Sequence, residues 1–148
     1  MKTIAMSGCF DMFHDGHKHI LRTALDLVDT YNDAMNLVIC INTDESVKEL
    51  KGSDRPINSL KERSNAVYEY CEYYNPHATV VIFPFKNEKM LADFYDIWKP
   101  NAILHGDDIR DVHKVTGFPK YPVLIVDRGY DKYGERTSTT RLIEERDE

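Results

Sequence analysis

The segment NLVICIN, residues 36–42, is the feature that most restricts the fold. It is a continuous apolar run with β-branched residues and no alternation, as expected of a strand buried on both faces of a parallel sheet. Four further segments have strand character: KTIAMSGC at 2–9, TVVIF at 79–83, a strand beginning over Ala102 to Leu104, and VLIV at 123–126.

Helical patterns separate these runs. His17 to Val28 carries apolar residues at 20, 21, 24, 25, 27 and 28, a stripe of helical period. Asp44 to Leu50 reads as a short helix, followed by a loop around KGSDRPINS. Ser59 with Glu62 three residues on is a capping-box pattern, and Ala66, Val67, Tyr70, Cys71 and Tyr74 then form an inner face. Glu88 to Trp98 is helical, with Leu91, Phe94, Tyr95 and Trp98 inward and Pro100 as the stop, and Ser138 to Glu145 is a closing helix. Strands alternating with helices predict an α/β fold: a Rossmann-like, doubly wound, five-stranded parallel sheet with helices on both faces and right-handed crossovers. No repeat, linker or low-complexity stretch divides the chain, so residues 1–148 are read as a single domain.

Charge and cysteine content narrow the function. With 19 Lys plus Arg against 25 Asp plus Glu, the net charge of −6 disfavours nucleic acid as a partner. An anionic ligand then needs a local cationic pocket. Three cysteines, with no CxxC pair, argue against a disulfide framework or a Cys-based zinc site and suit a reducing, cytoplasmic location. No long apolar leader and no stretch of about 18 apolar residues is present, so neither export nor membrane spanning is indicated.

The junction of the first strand and first helix, SGCFDMFHDGHKH, concentrates Gly8, Gly16, His14, His17 and His19. A metal site, a general base and a phosphate clamp all use imidazole. A zinc site is disfavoured because no Cys or carboxylate lies at structural-zinc spacing. In an open α/β sheet this turn lines the ligand crevice, and the unpaired N–H groups of a first helical turn attract phosphate. Two imidazoles there add donors for oxygens that gain charge during transfer, so a phosphate clamp is the first reading, with His19 as an exposed helix residue.

The residues Gly8, Cys9, Phe10, Asp11, His14, Gly16 and His17 resemble the G-[TC]-F-D-x-x-H-x-G-H signature of the cytidylyltransferase-like nucleotidyltransferases. Ser138, Thr139 and Thr140 resemble the family's second signature. Thr43-Asp44-Glu45, Lys51-Gly52, Glu62-Arg63 and His105-Gly106-Asp107-Asp108 resemble family positions in the same order. Within the family the chain looks most like glycerol-3-phosphate cytidylyltransferase and the phosphocholine or phosphoethanolamine cytidylyltransferases.

The resemblance implies transfer of CMP from CTP to a small phosphomonoester, giving a CDP-alcohol and pyrophosphate. It assigns His14, His17, Lys51 and Arg128 to catalysis. Cys9, Phe10, Gly16, Arg63, Gly106, Asp107, Ser138 and Thr139 join the two histidines in nucleotide binding. Mg²⁺ is the implied cofactor, with Asp11 and Asp107 as candidate ligands. Asp11, Lys48 and Lys86 are assigned to the acceptor side, and Lys89 is an alternative to Lys86. A homodimer is implied too, for which the tyrosine-rich stretch at 68–74 offers a contact. The family arginine falls on Arg128 with an insertion after it, or on Arg136 if the intervening loop folds back as a lid over the nucleotide. An adenylyltransferase using ATP on phosphopantetheine or a sugar phosphate is the rival enzyme. A nucleotide-binding regulatory module without turnover is the rival of another class.

Overall fold

Five parallel strands order themselves β3-β2-β1-β4-β5 in a computed structural model, which describes residues 2–30, 35–107 and 111–127. In chain order the elements are β1 (Lys2–Gly8), α1 (Asp15–Thr30), β2 (Met35–Asn42), α2 (Asp44–Lys51), α3 (Leu60–Tyr74), β3 (Thr79–Phe85), α4 (Glu88–Trp98), β4 (Ala102–Gly106), a 3₁₀ turn (Val112–Lys114) and β5 (Val123–Val126). Strand order reverses between β1 and β4, the switch point of a doubly wound sheet.

The central run behaves as its composition demands. Leu37 through Ile41 are all 0% exposed, and burying each large aliphatic side chain contributes about 1.5–3 kcal/mol. Alternate residues feed two cores. Ile4, Met6, Leu37, Ile39, Ile41 and Leu104 pack against Leu21, Leu25 and Val28 of α1 and Val67 and Cys71 of α3. Ala5, Val38, Cys40 and Ile103 face the other way, onto Leu91 and Tyr95 of α4 and onto Val115 and Tyr121. The molecule is therefore a Rossmann-like α/β domain with helices on both faces of the sheet.

The structure moves several boundaries. α1 begins at Asp15, two residues before the apolar stripe suggests, because the His14 side chain accepts hydrogen bonds from its first turn. Gly16 accordingly lies inside that turn. β3 continues through Pro84 to Phe85, and Pro84 is tolerated because β3 is an edge strand. β4 continues through His105 to Gly106, held by pairing with Ile125 and Val126 of β5. Tyr74 is exposed rather than inward, and His19 is half-buried. The capping box of Ser59 and Glu62 forms with both of its hydrogen bonds, and these hold the Glu62 carboxyl below its ordinary pKa. The closing helix lies outside the described residues.

Cys40 and Cys71 are buried free thiols whose pKa values burial pushes up to about 12. Among the described residues no helix is long and apolar enough to cross a membrane.

Gly117 marks a close approach of its own loop to Ile103 of β4 and Tyr95 of α4. At its φ of +97° a Cβ would lie 2.6 Å from Cδ1 of Ile103 and 3.2 Å from Cδ2 of Tyr95. Gly117→Ala is expected to cost about 1–3 kcal/mol through overpacking and backbone strain. Urea denaturation measures it, and a change below about 0.5 kcal/mol, the scale of an ordinary surface substitution, would contradict the packing described.

Candidate active site

The turn between β1 and α1 is unusual before any ligand is considered. Phe10 (φ 55°) and Met12 (φ 51°) are non-glycine residues in the left-handed region, a conformation costing on the order of 1–3 kcal/mol each. Asp11 between them offsets part of that cost. Its Oδ1 accepts from the N–H of Met12 (3.1 Å) and of Asn58 (2.9 Å), and its Oδ2 accepts from Ile57 (2.8 Å). Arg55 Nε lies 3.5 Å from the same carboxylate, which is 1% exposed. Asp11 was expected to meet substrate or metal; both of its oxygens instead tie the signature turn to the 55–58 segment.

Arg63 requires a similar correction. Residues 63, 67 and 71 form one inward stripe of α3, so the guanidinium is buried at 1% exposure. Nε donates to the Asn58 carbonyl (3.0 Å), Nη1 to the Cys9 carbonyl (2.8 Å) and Nη2 to Asp44 Oδ1 (2.7 Å). It bolts the end of β1 to the starts of α2 and α3 and does not line the cavity, so the phosphate fork expected of it is not what its donors serve.

The two imidazoles are pinned by the backbone. His14 Nδ1 accepts from the N–H of Gly16 at 3.1 Å and, at a longer 3.4 Å, from that of His17. His17 Nδ1 accepts from the N–H of His14 at 3.2 Å. A nitrogen that accepts carries no proton, so in both neutral rings the proton sits on Nε2. The rings stack at 3.6 Å between centroids, 18° from parallel.

Both rings line a cavity of about 500 Å³ across the C-terminal ends of the strands at the switch point. Ser7, Gly8, Cys9 and Phe10 form its floor, and Asn42, Ser46, Glu49 and Lys51 come from β2 and α2. Lys86, Asn87 and Glu88 enter at the start of α4, and His105, Gly106, Lys114 and Thr116 close the side near β4. Of the expected residues the cavity thus gathers Cys9, Phe10, His14, His17, Lys51, Lys86 and Gly106. Lys48 is exposed outside it, Gly16 is buried beneath it, and Asp107 is half-buried beyond its lining. Lys89 pairs with Asp93 on the surface (3.4 Å). Arg128, Arg136, Ser138, Thr139 and Asp108 lie outside the described residues.

Asn42, Ser46, Asn87, Lys114 and Thr116 were missed. Asn42 and Asn87 had a readable signal, since each is a polar residue ending a strand or capping a helix at the sheet edge where ligands bind. The Cys9 thiol donates to Asn42 Oδ1 at 3.4 Å, and burial raises its pKa against the opposing charges of Lys51 and Arg63. It is a protonated wall residue, not an activated nucleophile. Among the described residues no group of three His, Cys, Asp or Glu side chains is placed to hold a metal ion.

A family model described as cytidylyltransferase-like matches residues 5–145. The chain belongs to the cytidylyltransferase-like family. Its similarity to curated proteins runs the same way. The bifunctional protein HldE of a Nitratiruptor species is 32% identical over 145 residues, 97% of this chain and 27% of that protein. HldE of Actinobacillus pleuropneumoniae serotype 5b is 47% identical over 62 residues, 42% of this chain and 12% of that protein. The chain therefore spans about a quarter, at most, of the length of these relatives. Among solved structures, a lipopolysaccharide core biosynthesis protein from Thermoplasma volcanium superposes with a TM-score of 0.60 at 21% identity, covering 88% of this chain and 99% of that one. A universal stress protein from Archaeoglobus fulgidus gives 0.59 at 16% identity, covering 84% and 93%. These likenesses establish the fold. The cytidylyltransferase-like chain is thus a member of a nucleotidyltransferase family, with its signature histidines at the strand-to-helix junction.

Proposed function

We propose that this cytidylyltransferase-like chain transfers CMP from CTP to a small phosphorylated alcohol, releasing pyrophosphate. The observation that carries nucleotidyl transfer is the pair of imidazoles at the start of α1, each with its proton on Nε2, lining the switch-point cavity together with Lys51, while the choice of CTP rests on the resemblance of His105-Gly106-Asp107-Asp108.

An oxygen of the acceptor phosphomonoester attacks the α-phosphorus. A new P–O bond forms, the bond from the α-phosphorus to the bridging oxygen breaks, and the electron pair leaves with pyrophosphate. The attacking phosphate is already anionic near neutral pH, so positioning and charge stabilisation carry the catalysis and no strong base is needed. His14 and His17 donate from Nε2 to phosphate oxygens as charge builds on them. Lys51 contributes a point charge, and Lys86, which also lines the cavity, suits the acceptor phosphate.

Mg²⁺ is the cation the resemblance implies. The donor set fits a cation carried chiefly by the triphosphate rather than by a protein cage, because the Asp11 oxygens accept backbone N–H groups and, among the described residues, no three His, Cys, Asp or Glu side chains are grouped to hold a metal ion. Such a cation would neutralise triphosphate charge.

ATP with a sugar phosphate or phosphopantetheine is the second reading. It is supported by the same imidazole pair, which addresses phosphates and not the base. Pyrophosphate release with Mg²⁺ and either CTP or ATP, across a panel of phosphomonoesters, tests both. CTP-dependent release on glycerol 3-phosphate or phosphocholine is the expected result. ATP-only turnover would shift the donor, and nucleotide binding without turnover on any acceptor would overturn the enzymatic reading.

A further inference from the structure

We infer that the tyrosine-rich helix α3 orients His17 through a chain of packed rings, making Phe13 and Tyr70 positioning residues of the transfer site. The inference rests on the function proposed above. His17 has three ring neighbours: His14 stacks on it at 3.6 Å (18°), Phe13 at 5.9 Å (19°), and Phe10 is tilted against it at 5.2 Å (53°). An imidazole has a broad, nearly two-fold χ2 torsion, and a half-turn would put carbon where Nδ1 accepts the His14 N–H. His14 and Phe13, both packed nearly parallel to the ring, oppose that rotation.

Phe13 is fixed in turn from α3. Tyr70 meets it edge-on at 5.7 Å and 62°, and the Lys18 ammonium lies 5.8 Å from the centroids of both rings. Arg22 Nη1 donates to the Tyr70 hydroxyl oxygen (2.9 Å), Tyr74 stacks on Tyr70 (6.2 Å, 13°), and the Tyr74 hydroxyl donates to Asp26 (2.8 Å). Lys18, Arg22 and Asp26 are spaced by four on α1, and Tyr70 and Tyr74 by four on α3, so one stripe of each helix meets the other. This interlock sets the rotation of α1 and with it the aim of the imidazoles. A leucine at 13 would fill the same apolar space, whereas a ring lying nearly parallel to the imidazole is what the orientation requires.

The test pairs ¹⁵N NMR of the histidine rings in the ligand-free chain with turnover. In the wild type, His17 is expected as a single tautomer protonated on Nε2. Phe13→Ala is expected to mix the His17 tautomers and lower kcat by about tenfold, with a smaller change in triphosphate Kd. Phe13→Tyr restores both. Phe13→Leu, which keeps the volume and loses the ring, is expected to behave as Phe13→Ala and serves if that variant fails to fold, and Tyr70→Leu gives a weaker form of the same change. A folded Phe13→Ala or Phe13→Leu protein with an unaltered His17 tautomer would overturn the inference. The spectrum reads the tautomer even if the wild type shows no turnover, which would separately overturn the proposed function.

Discussion

His17→Ala is expected to lower the rate of nucleotidyl transfer by about 10²–10³-fold, the usual loss on removing one preorganised donor to developing phosphate or oxyanion charge. The effect should fall on kcat, measured as pyrophosphate release at saturating triphosphate, because the donation strengthens as charge builds on the phosphates. Triphosphate affinity in calorimetry should change far less. His14→Ala is expected to lose as much rate and, in addition, about 1 kcal/mol of stability, because His14 Nδ1 also caps α1 through the Gly16 N–H. His17 Nδ1 in turn accepts the His14 N–H, so His17→Ala is also expected to loosen the start of α1. A His17→Ala enzyme with kcat within threefold of wild type would remove His17 from the mechanism, and with it the role of the Nε2 protons.

Arg63→Met is expected to destabilise the fold by about 3–5 kcal/mol, the cost of breaking a buried charged network on one side. Methionine keeps the length of the side chain, so the loss isolates the guanidinium. The carbonyls of Cys9 and Asn58 lose their donors, and Asp44, itself partly exposed, loses its ion pair. For a domain of this size the melting temperature should fall by roughly 10 °C. Urea denaturation with a shift in midpoint at constant slope reads it directly. A phosphate-binding arginine would give the opposite pattern, with activity lost at nearly unchanged stability, and that outcome would restore the role first expected of Arg63.

Much of the architecture was legible because a parallel sheet demands apolar runs of a kind that little else uses. Val123–Val126 and Glu88–Trp98 occupy the spans their patterns predict, and Ser59 with Glu62 forms the capping box. Boundaries failed where local preference was overruled. Pro84 and His105 are poor strand formers, and each is held in a strand by pairing with a neighbour distant in sequence. α1 starts early because an imidazole, which no propensity scale counts as a cap, fills that role.

The site divides along the same line. Placing His14, His17 and Lys86 at the cavity needed only their positions just beyond a strand end or at a helix start, which the chain order of an α/β sheet brings to one edge, whereas Lys51, at the far end of α2, was marked only by the resemblance. Asp11 and Arg63 misled because a charge type states what a side chain can bind, not what lies within its reach. Besides its neighbour Met12, Asp11 accepts from N–H groups 46 and 47 residues away, and the Cys9 carbonyl that accepts from Arg63 is 54 residues away. By itself the sequence determined the doubly wound parallel sheet and the imidazole pair at its first strand-to-helix turn, since these follow from periodicity and chain order. Only the tertiary structure decided which charged groups remain for a ligand, because backbone donors and acceptors from distant loops compete for the same side chains and win when they arrive already aligned.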